Sequence, residues 1–253
     1  MARARKNVGA DQPARAVRKA ARPAKAVQAK PRHRASDRIA AILDRLARAY
    51  PHAVCALRHR NAFELTIATI LSAQTTDVGV NKVTPELFKR FPTPAKLAAA
   101  PLPELERIIH ATGFYRAKAK NIQGAARVLV EKFGGKVPQT IEDLTKLPGV
   151  ARKTANVVLG SWFGIASGIV VDTHVGRLAR RLDLTQETDP VKVERDLEKA
   201  IPKHHWIQFS HELIHHGRQI CVARKPRCLD CPLEPLCHCA DKTWNSAEAC
   251  SNA

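Results

Sequence analysis

The chain has 253 residues, with 42 Lys or Arg against 23 Asp or Glu, and its formal net charge is +19. This length is enough for one large domain or two modest ones, so the chain is not too short to bury a hydrophobic core. The excess of positive charge makes a polyanion such as nucleic acid the first partner to consider.

Residues 1–35 form a basic N-terminal segment that holds eleven Lys or Arg, one acidic residue and few apolar side chains larger than Ala. Such a segment cannot bury enough apolar surface to fold alone, so we predict that it is disordered. Three roles fit its composition: a non-specific nucleic-acid arm, a dispensable solubilising extension, or an organellar transit peptide.

Apolar residues recur at helical spacing from Ser36 onward, and Pro and Gly residues divide the pattern into short helices. The predicted helical stretches are, in chain order, SDRIAAILDRLARAY, AFELTIATILSAQ, TDVGVNKVTPELFKRF, LPELERIIHATG, RAKAKNIQGAARVLVEKFGG, TIEDLTKLPG, THVGRLARRLDL, PVKVERDLEKAIP and WIQFSHELIHHGRQI. No stretch alternates as a strand does over more than a few residues, so the predicted fold class is all-α. The most apolar run, residues 157–171, is shorter than a membrane span requires.

The stretch LPGVARKTANVVL, residues 147–159, begins as a tight turn and continues as a helix, with Arg152 and Lys153 at the junction. Unpaired N–H groups give a helix N-terminus partial positive charge, so both cations are disfavoured there. One interpretation is a pair of solvated cations on an exposed turn. The other is a phosphate site, in which the N–H groups and both cations share one anionic ligand.

The stretch HELIH, His211 to His215, fits the H-E-x-x-H pattern of zinc metalloproteases. The extended pattern with a third ligand fails, because Arg218 and Cys221 stand where a Gly and a His are required. Apolar residues at helical spacing favour instead a His-rich helix that packs on the core.

The spacing C-x6-C-x2-C-x5-C joins four cysteines, which are Cys221, Cys228, Cys231 and Cys237. Four thiolates at short spacing suit either a tetrahedral zinc ion or a [4Fe–4S] cluster. The remaining cysteines, Cys55, Cys239 and Cys250, are predicted not to be ligands. No secretory signal is visible, so a disulfide framework is not expected.

The loop between the first two of these ligands is basic, since it contains Arg224, Lys225 and Arg227. A metal would tie this loop at both ends and make it rigid. Such a loop can position a protein on phosphates without reading sequence, so we predict that all three residues bind DNA.

Four motifs follow one another along the chain. In chain order they are LSAQTTD, LPGVARKTAN, VVDTHVGR and the four-cysteine spacing. In this order and spacing, the motifs resemble the endonuclease III family of DNA glycosylases, within the helix-hairpin-helix superfamily. The resemblance covers about Ser36 to Cys237. It implies a two-lobed helical protein with a [4Fe–4S] cluster, which cuts oxidised pyrimidines from duplex DNA and then nicks the strand.

The resemblance places Lys153 at the family's catalytic lysine position, where it would attack the sugar C1′, form a Schiff base and lead to β-elimination. Only a neutral amine attacks, so the helix N-terminus that disfavours the ammonium would activate this lysine. Asp172, in VVDTH, matches the family's carboxylate, which would stabilise the cationic sugar as the base departs. The same side chain can also cap the helix that follows it.

The resemblance also implies contacts with the damaged nucleotide and its surroundings. Gln74 would fill the gap left by the extruded nucleotide, Asp77 would lie in the lesion pocket, and Phe114 would wedge against the opposite strand. The simpler alternatives are a polar helix end for Gln74 and an ordinary core position for Phe114.

Further predicted DNA contacts are Gly149, Ala151, Arg152 and His174. The family's hairpin often reads G-x-G, and here Ala151 stands at the second Gly. Its N–H survives as a phosphate donor, so we expect a modest cost in DNA affinity; the open question is whether the turn requires a positive φ there.

The resemblance implies a central helical domain with the hairpin over residues 55–166. A cluster domain is predicted from residues 36–54 plus 167–239, between the N-terminal segment 1–35 and a C-terminal tail over 240–253. We expect a monomer that acts without a membrane. In a bacterium it would be cytoplasmic and nucleoid-associated, and in a eukaryote nuclear or mitochondrial.

The leading hypothesis is a bifunctional DNA glycosylase and AP lyase acting on double-stranded DNA with damaged pyrimidines or abasic sites. One alternative is a monofunctional mismatch adenine glycosylase, which lacks the lysine and usually carries a C-terminal domain too large for the 16 residues after Cys237. The other alternative is a non-catalytic DNA-binding iron–sulfur protein, in which Lys153 only contacts phosphate.

Overall fold

A computed structural model describes residues 35–240 and 242–243 of the chain. The predicted disordered segment, apart from Ala35, lies outside the described residues. So does most of the predicted C-terminal tail, including Cys250.

The described residues form helices joined by short connections, without a β-strand, and this confirms the predicted all-α class. The α-helices are α1 (Ala35–Ala49), α2 (Ala62–Leu71), α3 (Asp77–Arg90), α4 (Pro94–Ala98), α5 (Leu102–Ile109), α6 (Tyr115–Phe133), α7 (Ile141–Leu144), α8 (Arg152–Phe163), α9 (Thr173–Arg181), α10 (Pro190–Ala200) and α11 (Trp206–Gln219). Short 3-10 helices cover His110–Thr112, Lys203–His205, Cys228–Asp230 and Glu234–Leu236. Helix α4 is missing from the sequence prediction because five residues are too few to show a helical period.

Helix α2 lies at the centre of the first hydrophobic core, which helices α2 to α8 build together. Residues 63–71 of α2 are all buried, as the apolar run in the sequence predicts. Because α2 packs against both α6 and α8, the turn that leads into α8 is anchored on the interior of this core.

A second hydrophobic core joins α1, α9, α10 and α11. Ile42 and Leu46 of α1 and Phe209 and Leu213 of α11 are fully buried in it. The 3-10 segments that carry the C-terminal cysteines pack on the same core through Leu233 and Leu236. The domain boundaries given by the sequence stay a prediction.

None of the described helices combines the length and apolar character that crossing a lipid bilayer would require.

Candidate active site

The turn between α7 and α8 requires glycine at position 149. Gly149 has φ +81°, a conformation that L side chains rarely adopt. A Cβ built there would lie 3.0 Å from Asn121 Cβ and 3.0 Å from Ile70 Cγ2. The turn is closed by a hydrogen bond of 3.0 Å from Val150 N to Leu147 O, so the backbone is fixed just before α8 begins.

Ala151 is the N-cap residue of α8 and has φ −94° and ψ 172°. This is extended backbone that any residue adopts, so Ala in place of the family's second Gly causes no conformational strain. No side chain caps the helix here. The first N–H groups of a helix lack intrahelical acceptors, and an anion can therefore bind at this end of α8.

Lys153, in the first turn of α8, and Asp172 line the same cavity. Asp172 is the N-cap of α9, as the sequence predicts, and its Oδ1 accepts hydrogen bonds of 2.8 Å from His174 N and Val175 N. These bonds fix the carboxylate and leave Oδ2 without a donor among the described residues. The arrangement places an amine and a preoriented carboxylate in the lining of one cavity.

The cavity has a volume of about 1230 Å³, including space open to solvent. Its walls come from both hydrophobic cores. Six of the predicted site residues line it, namely Gln74, Asp77, Gly149, Ala151, Lys153 and Asp172. The tertiary structure thus collects residues that are as much as 98 positions apart in the chain.

Helix α11 supplies cavity residues that the sequence analysis did not assign to the site. Arg218 Nη2 forms an ion pair of 2.6 Å with Asp77 Oδ2 and so links α11 to the start of α3. His211 and His215 also line the cavity. Burial, with a smaller effect from His215, lowers the pKa of His211 to about 4, so this ring is neutral at pH 7. The i, i+4 spacing in HELIH was the available signal that both histidines share one helix face.

Gln74 and Phe114 are exposed residues with left-handed backbone conformations. Gln74 has φ 53° and Phe114 has φ 47°, which is uncommon for residues other than Gly. Phe114 is 71% exposed, so the alternative of an ordinary core position is wrong. Gln74 follows the end of α2, and Phe114 is the N-cap residue of α6.

Arg152 is held by the protein in this structure. Its Nε lies 3.1 Å from Glu194 Oε1, and its Nη2 lies 3.9 Å from Glu198 Oε1. Asn156 Nδ2 donates to the same oxygen of Glu194 at 2.9 Å. The side chain thus joins α8 to α10, and its predicted contact with DNA stays a prediction.

His174 lies on α9 beside Arg177, whose Nη2 is 3.2 Å from His174 Nδ1. Arg177 Nη2 also donates to Gly217 O at 3.0 Å and to Cys221 O at 2.9 Å. Arg181, one turn later, donates to Val222 O at 2.8 Å. Helix α9, which Asp172 caps, therefore holds the backbone at the first cysteine of the four-cysteine segment.

The four cysteines of the C-x6-C-x2-C-x5-C segment line one cavity of about 360 Å³, including space open to solvent. Cys239, predicted not to be a ligand, lines the same cavity. Within residues 35–240 and 242–243, no three His, Cys, Asp or Glu side chains converge closely enough to hold a single metal ion. Burial raises the pKa of Cys231 to about 11, and neighbouring cysteines add to the rise.

The loop between Cys221 and Cys228 carries Arg224, Lys225 and Arg227 at exposed positions. Lys225 has φ 52°, and Arg227 N donates to Ile220 O at 3.0 Å across the base of the loop. The three cations do not line the cavity of Lys153 and Asp172, so they form a separate basic surface.

Comparison with known proteins places this geometry in a family. Residues 67–203 match the HhH-GPD superfamily of base excision DNA repair proteins. Endonuclease III of Synechocystis sp. is 56% identical over 201 residues, which are 79% of this chain and 92% of that protein. Endonuclease III of Escherichia coli K12 is 42% identical over 201 residues, covering 79% of this chain and 95% of that protein.

Two solved structures are similar to this one over 80% of the chain and 95% of their own, each with 47% identity and a TM-score of 0.76. One is a non-covalent complex of an endonuclease III with DNA. The other is a trapped covalent intermediate of an endonuclease III with DNA. The chain belongs to the endonuclease III family of HhH-GPD base excision DNA repair proteins.

Proposed function

We propose that this protein removes oxidised pyrimidines from duplex DNA and then nicks the strand at the abasic site by β-elimination. The observation that carries the proposal is that Lys153 and Asp172 line one cavity together with Gly149 of the turn before α8. A related endonuclease III has been captured as a covalent intermediate with DNA, which supports a covalent mechanism here. The cavity offers room for a nucleotide turned out of the helix.

Lys153 is the proposed nucleophile. Its neutral amine attacks C1′ of the damaged nucleotide, the bond from C1′ to the base breaks, and the sugar ring opens to a Schiff base. Loss of a proton from C2′ then breaks the bond to the 3′ oxygen, and hydrolysis of the Schiff base returns the free lysine. Lys153 lies in the first turn of α8, directly after the turn that contains Gly149.

Asp172 is the proposed electrostatic partner of this reaction. Its carboxylate stabilises positive charge on the sugar as the base departs and assists proton transfer. The two backbone hydrogen bonds to Oδ1 hold the group in one orientation, so little reorganisation is needed when charge develops.

We further propose that Cys221, Cys228, Cys231 and Cys237 hold a [4Fe–4S] cluster. The donor set fits this group, because four soft thiols are distributed around one cavity and can each bind a different iron. The cluster would supply a rigid structural anchor. With it, the loop of Arg224, Lys225 and Arg227 would keep one shape for contact with phosphates.

Borohydride reduction on a duplex with a single abasic site tests the lyase mechanism. The intact protein should form a covalent adduct with the DNA, and Lys153→Ala should form none. Lys132→Ala removes an exposed lysine of α6 and is the matched control, with an undiminished adduct. An undiminished adduct in Lys153→Ala contradicts the assignment of Lys153 as the nucleophile, because another amine then forms the Schiff base. No adduct with the intact protein contradicts the lyase mechanism and favours a non-catalytic or monofunctional protein.

Release of thymine glycol from duplex DNA tests the glycosylase step separately. Visible absorption and iron content of the purified protein test the cluster. Broad absorption with about four irons per chain supports it, and bound zinc without iron contradicts it. In a bacterium we expect the protein on the chromosome, acting as a monomer.

A further inference from the structure

Lys118 is a buried cation outside the active-site cavity. It is only 4% exposed, although it lies near the start of α6, where the helix dipole disfavours positive charge. Burial also lowers the pKa of this lysine. A buried ammonium in such a place requires hydrogen-bond partners that compensate for lost water.

The ammonium of Lys118 connects two separate loops. Nζ donates to Thr75 Oγ1 at 2.7 Å and to the carbonyl oxygen of Thr112 at 2.7 Å. The hydroxyl of Thr75 donates in turn to the same carbonyl. Both acceptors of the ammonium are neutral oxygens, so these contacts form a closed hydrogen-bonded triangle rather than an ion pair.

Each of the two loops carries one of the exposed residues with left-handed backbone. Gln74 immediately precedes Thr75, and Phe114 follows Thr112 with Gly113 between them. Gly113 itself has φ +66°. The backbone N of Lys118 donates to Phe114 O at 3.1 Å, which ties this lysine to the second loop a second time.

We propose that Lys118 is a positioning residue that holds the Gln74 loop and the Phe114 loop as one rigid unit for insertion into the DNA helix. The inference rests on the proposed function. Unusual backbone conformations persist only where the surrounding structure enforces them, and the triangle around Lys118 provides that enforcement. Ordering both loops before DNA binds removes an entropic cost from the step in which the damaged nucleotide leaves the helix.

Four variants test this inference. Lys118→Met keeps the length of the side chain and removes the ammonium, and Thr75→Val keeps the shape of Thr75 and removes the hydroxyl. Thr75→Ser restores the hydroxyl. Lys120→Met is the matched control, since Lys120 is an exposed lysine on the same helix.

Three measurements together separate base extrusion from the later chemistry. Excision of thymine glycol from a duplex under single-turnover conditions requires a stacked base to leave the helix. Fluorescence of 2-aminopurine placed beside the lesion reports that movement directly. Borohydride trapping on a preformed abasic site has no damaged base to unstack.

We expect Lys118→Met and Thr75→Val to slow excision and the fluorescence rise on the order of tenfold, while trapping changes by less than about threefold. Thr75→Ser and Lys120→Met should match the intact protein in all three assays. Unchanged excision and fluorescence in Thr75→Val overturn the inference, even if Lys118→Met does not fold. An equal loss in trapping and excision also overturns it, because it indicates a general structural role.

Failure of the proposed function gives a different result. In that case the intact protein itself forms no borohydride adduct. The fluorescence measurement on bound DNA still compares Thr75→Val with the intact protein.

Discussion

Replacing Gly149 by Ala gives a sharp test of how the hairpin is built. The left-handed conformation at φ +81° costs a residue with a side chain about 1–2 kcal/mol. The added methyl group also meets Asn121 Cβ and Ile70 Cγ2 at 3.0 Å, and overpacking of this kind costs about 1–3 kcal/mol. Because Ile70 belongs to buried α2, the neighbour has little room to move.

We therefore expect Gly149→Ala to lower the free energy of unfolding by about 2–5 kcal/mol, and Tm by roughly 4–20 °C. Affinity for a duplex with an abasic-site analogue should fall as well, since the turn presents the first N–H groups of α8. Thermal unfolding by circular dichroism and fluorescence-anisotropy titration at fixed salt measure the two effects.

Ala151→Gly, two residues away, is the matched control. Ala151 has a φ of −94°, which every residue can adopt, so this substitution should change the free energy of unfolding by less than about 1 kcal/mol. DNA affinity should stay the same or rise slightly. Wild-type stability in Gly149→Ala would refute the steric argument, and markedly weaker DNA binding by Ala151→Gly would refute the expectation that Ala here costs affinity.

The other predictions concern three charged groups. Asp172→Asn keeps a good N-cap and removes the charge, so the rate of base excision should fall by about 10²-fold or more, while the free energy of unfolding changes by less than about 1 kcal/mol. If excision falls only to the extent that the protein is unfolded, Asp172 acts only as a cap. Arg152→Ala removes the ion-pair partner of buried Glu194, so the free energy of unfolding in urea should fall by about 1–2 kcal/mol. Adding Glu194→Gln to this variant should recover part of the loss. If the effects of the two substitutions simply add in the double variant, the two side chains are not coupled as proposed. Burial raises the pKa of Glu212 from 4.5 to about 7, so the folded state binds a proton that the unfolded chain has lost, and stability falls as pH rises through this interval. In Glu212→Gln the free energy of unfolding should therefore depend less on pH between these two values. The same pH dependence as in the intact protein would contradict the raised pKa of Glu212.

The sequence allowed the catalytic and metal-binding residues to be proposed because those residues stand in short local motifs. The Lys153 turn and the cysteine spacing each fit within a few helical turns, so their order along the chain is informative. The capping role of Asp172 was also predictable, since it depends only on the backbone N–H groups two and three residues later. Amphipathic spacing gave the helical class for the same reason.

Contacts between segments that are distant in the chain could not be predicted from the sequence. The pairing of Asp77 with Arg218 joins residues far apart in the chain, and no local pattern specifies it. The pairing of Arg152 with Glu194 is of the same kind. Lys118 illustrates the limit most clearly, because on the sequence alone it is one lysine among many on a basic helix.

The sequence by itself, through short motifs and the family resemblance that they carry, determined which residues we propose as the nucleophilic amine, the carboxylate and the cluster thiols, because each motif depends on residue type and local spacing. Only the tertiary structure decided that Ala151 is unstrained, that His211 and His215 face the cavity and that Lys118 joins two loops. The physical reason is that burial and hydrogen-bond partners depend on how helices pack, and packing brings together side chains that no local sequence pattern connects.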